Sequence, residues 1–229
     1  MRKAVVVVGK VPRPGMVKSR LARSLGEERA ACLYECFLLD TVEAVAGLEG
    51  VEVVVSLLGG LLESLKEIGP KVRVIPQRGE TFGRRLRNSI ADALDMGYRP
   101  VVLLGSDNPS LPPEAVAEAF EALRRCDVVI GPATDGGYYL IGMHRLHEGL
   151  FSDEIEWGTE RVLGQTLERC RREGLSVSLI RPWYDVDTLK DLAFLKSHIE
   201  GWVLSGDHIP CPRTAKFLLD HLELDGLKE

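Results

Sequence analysis

The chain has 229 residues, of which 45% are hydrophobic and 28% are charged, and its net charge is −5. This composition is typical of a globular protein and excludes collagen-like and low-complexity chains. The negative charge disfavours nucleic-acid binding, no apolar run approaches the ~20 residues of a membrane span, and the five cysteines form no disulfide framework. We expect a cytoplasmic protein that binds neither nucleic acid nor membrane; the choice between monomer and homodimer stays open.

Short apolar runs alternate with helical patterns along the first half of the chain. The runs are residues 4–8, 51–55, 72–75, 101–104 and 128–130. Because they are apolar throughout rather than alternating, they predict parallel strands that helices cover on both faces. The predicted helices are residues 27–46, residues 82–96 and a third that begins at Pro112 and Pro113.

After residue 132 the pattern changes but remains α/β. The predicted elements are a strand at 138–143, a helix at 159–173, a strand at 175–180, a helix from Leu189 and a last helix near 214–222. We therefore predict one Rossmann-like, doubly wound domain with a mostly parallel mixed sheet. Cys32 and Cys36 share a helix face and are expected in the core. His144 and His147 are expected on a helix surface.

A basic loop follows the first predicted strand. The first 26 residues hold seven bases and no acid, and the loop contains Gly9, Lys10, Arg13, Lys18 and Arg20. Loop amides, the N-terminus of a following helix and these bases suit a phosphate chain, although a basic surface helix is an alternative. The spacing matches neither GxxxxGK[ST] nor GxGxxG.

Carboxylates follow three later strands. Asp107 comes after residues 101–104, Asp135 lies in an Asp-Gly-Gly turn, and Asp185 and Asp187 follow residues 175–180. Each has a structural alternative, as a turn residue or a helix cap. Carboxylates with substrate phosphates commonly hold Mg²⁺, so Asp107 with Asp185 or Asp187 is a candidate metal site. Because ligands bind at the carboxyl ends of parallel strands, acids and bases together predict metal-assisted phosphate chemistry.

The stretches GSDNP, DGGYYLIG and DVDT, with the basic loop, resemble a known family over about residues 3–195. The chain is similar to the glycosyltransferase-like family of radical-SAM/selenodomain-associated transferases. That family belongs to the nucleotide-diphospho-sugar transferase superfamily, whose members have the GT-A fold. The resemblance implies one GT-A-like domain, residues 1–229, with a nucleotide-binding half at 1–131, an acceptor-side half at 132–197 and a C-terminal tail and helix at 198–229.

The resemblance also implies roles for individual residues. The catalytic residues would be Lys18, Asp107 and Asp187. A nucleotide and its phosphates would contact Gly9, Lys10, Arg13, Lys18, Arg20, Gln77, Gly83 and Arg85. An acceptor would contact Asp135, Gly136, Gly137, Trp157 and Thr159. A divalent metal, Mg²⁺ or Mn²⁺, would be held by Asp107, Asp185 and Asp187.

Two transfer reactions fit these residues. The first is glycosyl transfer from a nucleotide-diphosphate sugar, with the metal on the diphosphate. The alternative is nucleotidyl transfer, which joins a nucleoside triphosphate to a phosphorylated small molecule and releases pyrophosphate. Phospholactate guanylyltransferases share the Lys-Ser-Arg-Leu element found at residues 18–21. A non-enzymatic scaffold is disfavoured, because the acids and bases that the family needs are present.

Overall fold

The computed structural model describes residues 2–69 and 72–221. These residues form one seven-stranded sheet with the strand order β3-β2-β1-β4-β6-β5-β7. The strands are β1 (Lys3–Lys10), β2 (Val51–Leu58), β3 (Val72–Pro76), β4 (Val101–Gly105), β5 (Val128–Pro132), β6 (Tyr138–Met143) and β7 (Val177–Leu179). The order and the flanking helices confirm the predicted α/β class and the single mixed sheet.

Helices cover the sheet on both faces. They are α1 (Ser19–Leu25), α2 (Glu27–Ala46), α3 (Phe82–Asp95), α4 (Pro113–Ala122), α5 (Val162–Arg172), α6 (Leu189–Ser205) and α7 (Pro212–His221). Two 3-10 segments, Glu63–Ile68 and Glu148–Phe151, were not predicted. Within the described ranges, no helix combines the length and the apolarity needed to cross a bilayer.

The central strand β1 shows why the apolar runs form a covered sheet. Val5 and Val7 point into one hydrophobic core, whereas Ala4 and Val6 point into the core on the opposite face. All four side chains are fully buried. A strand that is buried on both faces has no solvent side, so its sequence shows no alternation.

The direction of the strands creates the place where a ligand can bind. β1 pairs in parallel with both β2 and β4, and the chain continues from β1 toward one edge of the sheet and from β4 toward the other. β6 is antiparallel to its neighbours β4 and β5. The gap between the carboxyl ends of β1 and β4 is therefore a topological switch point.

A third hydrophobic cluster, formed by α1, α2, α6 and α7, fixes the loop that follows β1. Asp40 of α2 is buried and accepts hydrogen bonds from the backbone N–H groups of Arg213 (3.1 Å) and Thr214 (2.8 Å). The first N–H groups of a helix have no partner within the helix itself. Asp40, on a different helix, therefore caps the N-terminus of α7. α1 packs against this framework through Leu21 and Leu25.

Several sequence expectations differ from the structure. The second-half helix begins at Val162 rather than residue 159, and the strand predicted at 175–180 spans Val177–Leu179. The last helix begins at Pro212 rather than residue 214, because proline fits the first turn of a helix. Residue 222, at its predicted end, lies outside the described residues, as does the rest of the predicted tail to 229.

Two predictions about polar side chains were wrong. Cys32 is exposed and Cys36 is only partly buried, because α2 directs Leu33 and Phe37 into the core and turns the preceding residues about 100° away. His147 is 7% exposed and precedes a 3-10 turn, rather than lying on a helix surface. His144 also lies outside any helix, and its Nε2 is 2.6 Å from the carbonyl oxygen of Leu123.

Candidate active site

A cleft of about 460 Å³ opens at the carboxyl ends of β1 and β4. This volume is within the usual range for small-molecule sites. Most of the predicted site residues line it: Gly9, Lys10, Lys18, Arg20, Gln77, Arg85, Asp107, Asp135, Gly137, Trp157, Thr159, Asp185 and Asp187. The remaining three, Arg13, Gly83 and Gly136, are not among its lining residues.

Lys18 occupies the centre of the cleft, between two carboxylates. Its Nζ lies 2.5 Å from Oδ1 of Asp107 and 2.8 Å from Oδ1 of Asp187, and it donates a further hydrogen bond to the carbonyl of Val186 (2.9 Å). Its side chain is 3% exposed, whereas those of Asp107 and Asp187 are 47% and 43% exposed. The sequence predicted Lys18 near phosphates; here its ammonium is bound by acids.

The charges of this triad stabilise one another. Burial alone would lower the pKa of Lys18, but Asp107 and Asp187 outweigh burial and raise this pKa above its usual value. Burial likewise opposes the ionisation of Asp187, yet Lys18 and, more weakly, Arg20 keep its pKa below the usual value. Lys18 and Asp187 are therefore both charged at neutral pH.

The backbone of Lys18 explains how its side chain reaches the sheet. Lys18 precedes α1 with φ 45° and ψ 49°, a left-handed conformation. It is the only residue other than glycine with a positive φ in the described part of the chain. Such a conformation is unfavourable for lysine. The side chain passes over Phe37 and Tyr34, with Nζ 5.5 Å and 5.9 Å from their ring centroids.

A second acidic group lies beside the triad. Burial, followed by the charges of Asp135 and Asp107, raises the pKa of Asp185 to about 7. Its Oδ1 accepts a hydrogen bond of 2.7 Å from the amide of Asn108, which also donates to the carbonyl of Tyr184 (2.8 Å). Asn108 therefore holds Asp185 in place, and the carboxylates of the cleft repel one another.

The wall formed by the first half of the chain is basic. The Nε2 of Gln77 donates to the carbonyls of Gly9 (3.1 Å) and Ser56 (2.9 Å), which ties β3 to the end of β1. Lys10, Arg20 and Arg85 line the same cleft. Among the described residues, no carboxylate forms an ion pair with any of these three. Their charges are thus available to an anionic ligand.

Tyr34 is a site residue that the sequence did not reveal. Its hydroxyl accepts a hydrogen bond from the backbone N–H of Lys10 (3.0 Å) and shares another with the hydroxyl of Ser106 (2.8 Å). Burial, with a smaller effect of Asp107, raises the pKa of Tyr34 to about 12. Tyr34 lies on the buried face of α2, so its helical spacing does not distinguish it from an ordinary core residue.

Three predicted site residues do not line the cleft. Two of them are glycines in tightly packed positions, and the third lies in a loop. A Cβ on Gly83 would lie 2.6 Å from the carbonyl oxygen of Phe151 and the indole nitrogen of Trp157, so only glycine fits there. Gly136 has φ 92°, and a Cβ there would overlap the backbone of Glu160. Arg13 lies in the loop after β1, its guanidinium near Gly60.

The donor set fits a divalent cation. The Oδ1 atoms of Asp107 and Asp187 both contact the Lys18 ammonium. The charges of these two carboxylates also help to raise the pKa of Asp185. Carboxylate oxygens are the preferred ligands of Mg²⁺. No ready-made cluster of three or more acidic, histidine or cysteine ligands exists within residues 2–69 and 72–221, and Lys18 lies between the carboxylates of Asp107 and Asp187. A metal ion would compete with Lys18.

Comparison with known proteins is consistent with this geometry. Residues 41–159 match the family described as "Uncharacterized protein conserved in bacteria (DUF2064)". A crystal structure from Desulfovibrio desulfuricans, provisionally named a nucleotide-diphospho-sugar transferase, is 34% identical with a TM-score of 0.83, covering 95% of this chain and 94% of that one. This similarity confirms the predicted nucleotide-diphospho-sugar transferase fold.

Two further relatives are more distant. The 2-phospho-L-lactate guanylyltransferase of Methanothermobacter thermautotrophicus is 26% identical over 190 residues, which is 80% of each chain. The 4-diphosphocytidyl-2C-methyl-D-erythritol synthase of Anaerococcus prevotii is 14% identical with a TM-score of 0.58, covering 87% of this chain and 96% of that one, and so shows the fold alone. Relatives named as transferases agree with the transferase predicted from the sequence.

Proposed function

The chain belongs to the DUF2064 family, and on that premise we propose that it is a metal-dependent nucleotidyltransferase. It would join a nucleoside triphosphate to a small-molecule acceptor and release pyrophosphate. In this reaction an acceptor oxygen forms a bond to the α-phosphorus, the bond from that phosphorus to the β-phosphate oxygen breaks, and the electron pair leaves with pyrophosphate. The guanylyltransferase relative supports nucleotidyl transfer over other reactions of this fold.

The observation that carries the proposal is the position of Lys18 between Asp107 and Asp187 at the switch point of the sheet. A buried cation with two carboxylates at a ligand-binding edge costs more than an apolar core and adds little stability. Its placement suits charge stabilisation of a phosphate group under attack, which is commonly a large contribution to catalysis. We assign Lys18, Asp107 and Asp187 as the catalytic residues.

A divalent ion belongs to the proposed chemistry. Asp107, Asp185 and Asp187 would hold Mg²⁺ or Mn²⁺, and when bound the ion would act as a Lewis acid on the phosphate chain. Lys18 would then be displaced from the carboxylates toward the phosphates, as the sequence resemblance predicts. Lys10, Arg20 and Arg85 form no ion pair with a carboxylate among the described residues and would neutralise the remaining negative charge.

The two halves of the domain would divide the substrates. Residues 1–131 contribute the basic loop, Gln77 and α3, and would bind the nucleotide. Residues 132–197 contribute Asp135, Trp157 and Asp187, and would bind the acceptor and complete the metal site. In the C-terminal part of the chain, α7 would support the site through its contacts with α2. We also infer a cytoplasmic location, which fits such substrates.

The test is a thermal-shift and turnover experiment on the full chain. Each nucleoside triphosphate is added with and without Mg²⁺; a ligand at ~100 times its Kd adds about 2.7 kcal/mol of stability, which is roughly 5–10 °C for this size. Pyrophosphate release is then measured with Asp107→Ala beside the wild type. We expect the variant to lose about 3–4 kcal/mol of transition-state stabilisation. Equal turnover by the two proteins would refute the assignment of Asp107.

The second candidate is glycosyl transfer from a nucleotide-diphosphate sugar. It is favoured by the 34% identity to the protein provisionally named a nucleotide-diphospho-sugar transferase. The resemblance to radical-SAM/selenodomain-associated transferases, supported by GSDNP, DGGYYLIG and DVDT, points the same way. A thermal shift with nucleotide-diphosphate sugars and none with triphosphates would favour this reaction, whereas a triphosphate shift with pyrophosphate release would favour nucleotidyl transfer.

A further inference from the structure

The two walls of the cleft have opposite charge. The wall from the first half of the chain presents Lys10, Arg20 and Arg85, in addition to Lys18 and Asp107, which pair with each other. The wall from the second half presents Asp135 and Asp185, and none of its described lining residues is a lysine or an arginine. With a divalent ion on Asp107, Asp185 and Asp187, the carboxyl group of Asp135 would remain outside the metal site on this wall. The acceptor side of the cleft is therefore acidic with or without metal.

Several side-chain hydrogen-bond donors on the wall from the second half of the chain already have partners within the protein. The indole N–H of Trp157 donates to the carbonyl of Ser152 (3.2 Å), the hydroxyl of Thr159 to that of Glu156 (2.8 Å) and the hydroxyl of Tyr139 to that of Arg181 (2.8 Å). These three side-chain donors are thus already used within the protein, and the hydroxyl of Tyr138, which has no hydrogen-bond partner among the described residues, is buried. What Trp157 offers to the cleft is its ring, which packs edge-on against Phe82 and Tyr138.

Hydrogen-bond acceptors, by contrast, remain. Oδ1 of Asp135 accepts the backbone N–H of Gly137 (2.8 Å), which fixes the carboxylate on its turn. Oδ1 of Asp185 accepts the amide of Asn108 (2.7 Å). A carboxylate has two oxygens and about four lone-pair sites, so each group can accept further hydrogen bonds. The wall consequently offers carboxylate oxygens and an aromatic face.

We propose that the acceptor contacts this wall through hydroxyl groups and presents no phosphate to it. This inference rests on the proposed function and narrows its substrate class. A phosphate carries about −1.5 to −2 charge at neutral pH and offers three acceptor oxygens. It would meet like charge on this wall, where the donors of Trp157, Thr159 and Tyr139 are already used. A hydroxyl group donates a hydrogen bond that Asp135 or Asp185 can accept. The phosphorylated acceptor of the alternative reaction is the competing case that the tests distinguish.

The chemistry of transfer is consistent with this choice. A hydroxyl must lose its proton when it attacks, whereas a phosphate oxygen is already ionised. The O–H bond breaks and its proton passes to the Asp135 carboxylate, the oxygen forms its bond to the α-phosphorus, and the electron pair of the broken phosphorus–oxygen bond leaves with pyrophosphate. A carboxylate on the acceptor side is the expected general base for this step.

The first test measures phosphate binding. The protein is loaded with Mg²⁺ and a non-hydrolysable nucleoside triphosphate analogue, and inorganic phosphate is titrated to tens of millimolar. We expect no saturable binding by the wild type and at least tenfold tighter binding by Asp135→Lys. Glu114→Lys, which makes the same charge change on an exposed residue of α4 outside the cleft, should behave as the wild type. Millimolar binding by the wild type, or no gain in Asp135→Lys, would overturn the proposal.

The second test uses a small-molecule extract of bacterial cells, with one aliquot dephosphorylated by a phosphatase that is then removed. Each aliquot is incubated with protein, Mg²⁺ and nucleoside triphosphates, and products are measured by mass. A product that persists after dephosphorylation supports the proposal, and one that disappears overturns it. If neither aliquot yields a product, the phosphate titration decides. If the analogue does not bind at all, the proposed function itself has failed, which is a separate result.

Discussion

The ammonium of Lys18 lies 2.8 Å from the carboxylate of Asp187, a residue 169 positions later in the chain. This contact joins the loop after β1 to the segment that precedes α6, and Asp107 shares the same ammonium from the end of β4. Three separate parts of the chain thus converge on one charge at the edge of the sheet. The loop conformation of Lys18 and the position of Asp187 are therefore coupled.

This coupling predicts that Lys18 and a metal ion compete. In Lys18→Met, Asp107 and Asp187 lose their cation, so Mn²⁺ should bind the nucleotide-free protein about ten to a hundred times more tightly, or ~1.4–2.8 kcal/mol. Turnover should nevertheless fall, because Lys18 no longer contacts the phosphates. Mn²⁺ affinity is measured by titration calorimetry. Lys216→Met, on exposed α7 surface, should leave affinity unchanged; weaker binding in Lys18→Met would argue against competition.

Asp185 should reduce the stability of the metal-free protein at neutral pH. Its pKa is raised to about 7 by burial and by Asp135 and Asp107, against about 3.9 when unfolded. Between about pH 4 and pH 7 the folded chain binds a proton that the unfolded chain does not, so this group's contribution to stability falls as pH rises through that window and is constant above it.

Asp185→Asn removes this titration and can keep the hydrogen bond from Asn108. We expect the variant to exceed the wild type by about 2–4 kcal/mol above pH 7, with the difference shrinking toward pH 4, as measured by urea unfolding. Asp127→Asn is the control of opposite sign, since hydrogen bonds from Ser176 lower the pKa of Asp127 and its ionised form is stabilising. A destabilised Asp185→Asn at pH 8 would contradict the electrostatic origin.

Tyr34→Phe should loosen the phosphate-binding loop. The substitution removes the hydroxyl that accepts the Lys10 N–H and pairs with Ser106, and an unpaired buried polar group costs about 1–3 kcal/mol. Because Lys10 begins the loop, the KM for nucleotide should rise more than kcat falls. Tyr98→Phe, at a buried tyrosine near the opposite end of β4, is the control. An unchanged KM in Tyr34→Phe would show that the loop is held without this hydroxyl.

Gly83 should tolerate no side chain. A Cβ there meets the carbonyl oxygen of Phe151 and the ring of Trp157, and overpacking typically costs 1–3 kcal/mol. Gly83→Ala should therefore lower the free energy of unfolding and shift Trp157, which tryptophan fluorescence can report. The matched change Gly164→Ala lies in α5 with open space around the new Cβ, and should stabilise by up to ~1 kcal/mol. Equal effects of the two changes would contradict the packing role.

The sequence predicted the fold and the acids of the site because both depend on local patterns. Continuous apolar runs identify covered strands, and Asp107 and Asp187 follow strands whose ends meet at one edge. The ion pairs of Lys18 were not predictable, since they require a left-handed lysine that no spacing signals. Tyr34 and Asn108 were missed because an apolar helix face and a turn explain them equally well. Whether a polar atom of the cleft wall already has a hydrogen-bond partner, as the indole N–H of Trp157 does, depends on tertiary contacts that the sequence does not show.

The most direct test of the central claim is a crystal structure with Mn²⁺ and a non-hydrolysable nucleoside triphosphate. We predict anomalous density for the metal between Asp107 and Asp187, with the phosphates on the side of Lys10 and Arg20 and the Lys18 ammonium turned toward them. A nucleotide bound outside this cleft, or a metal bound away from both carboxylates while Lys18 keeps its two ion pairs, would contradict it.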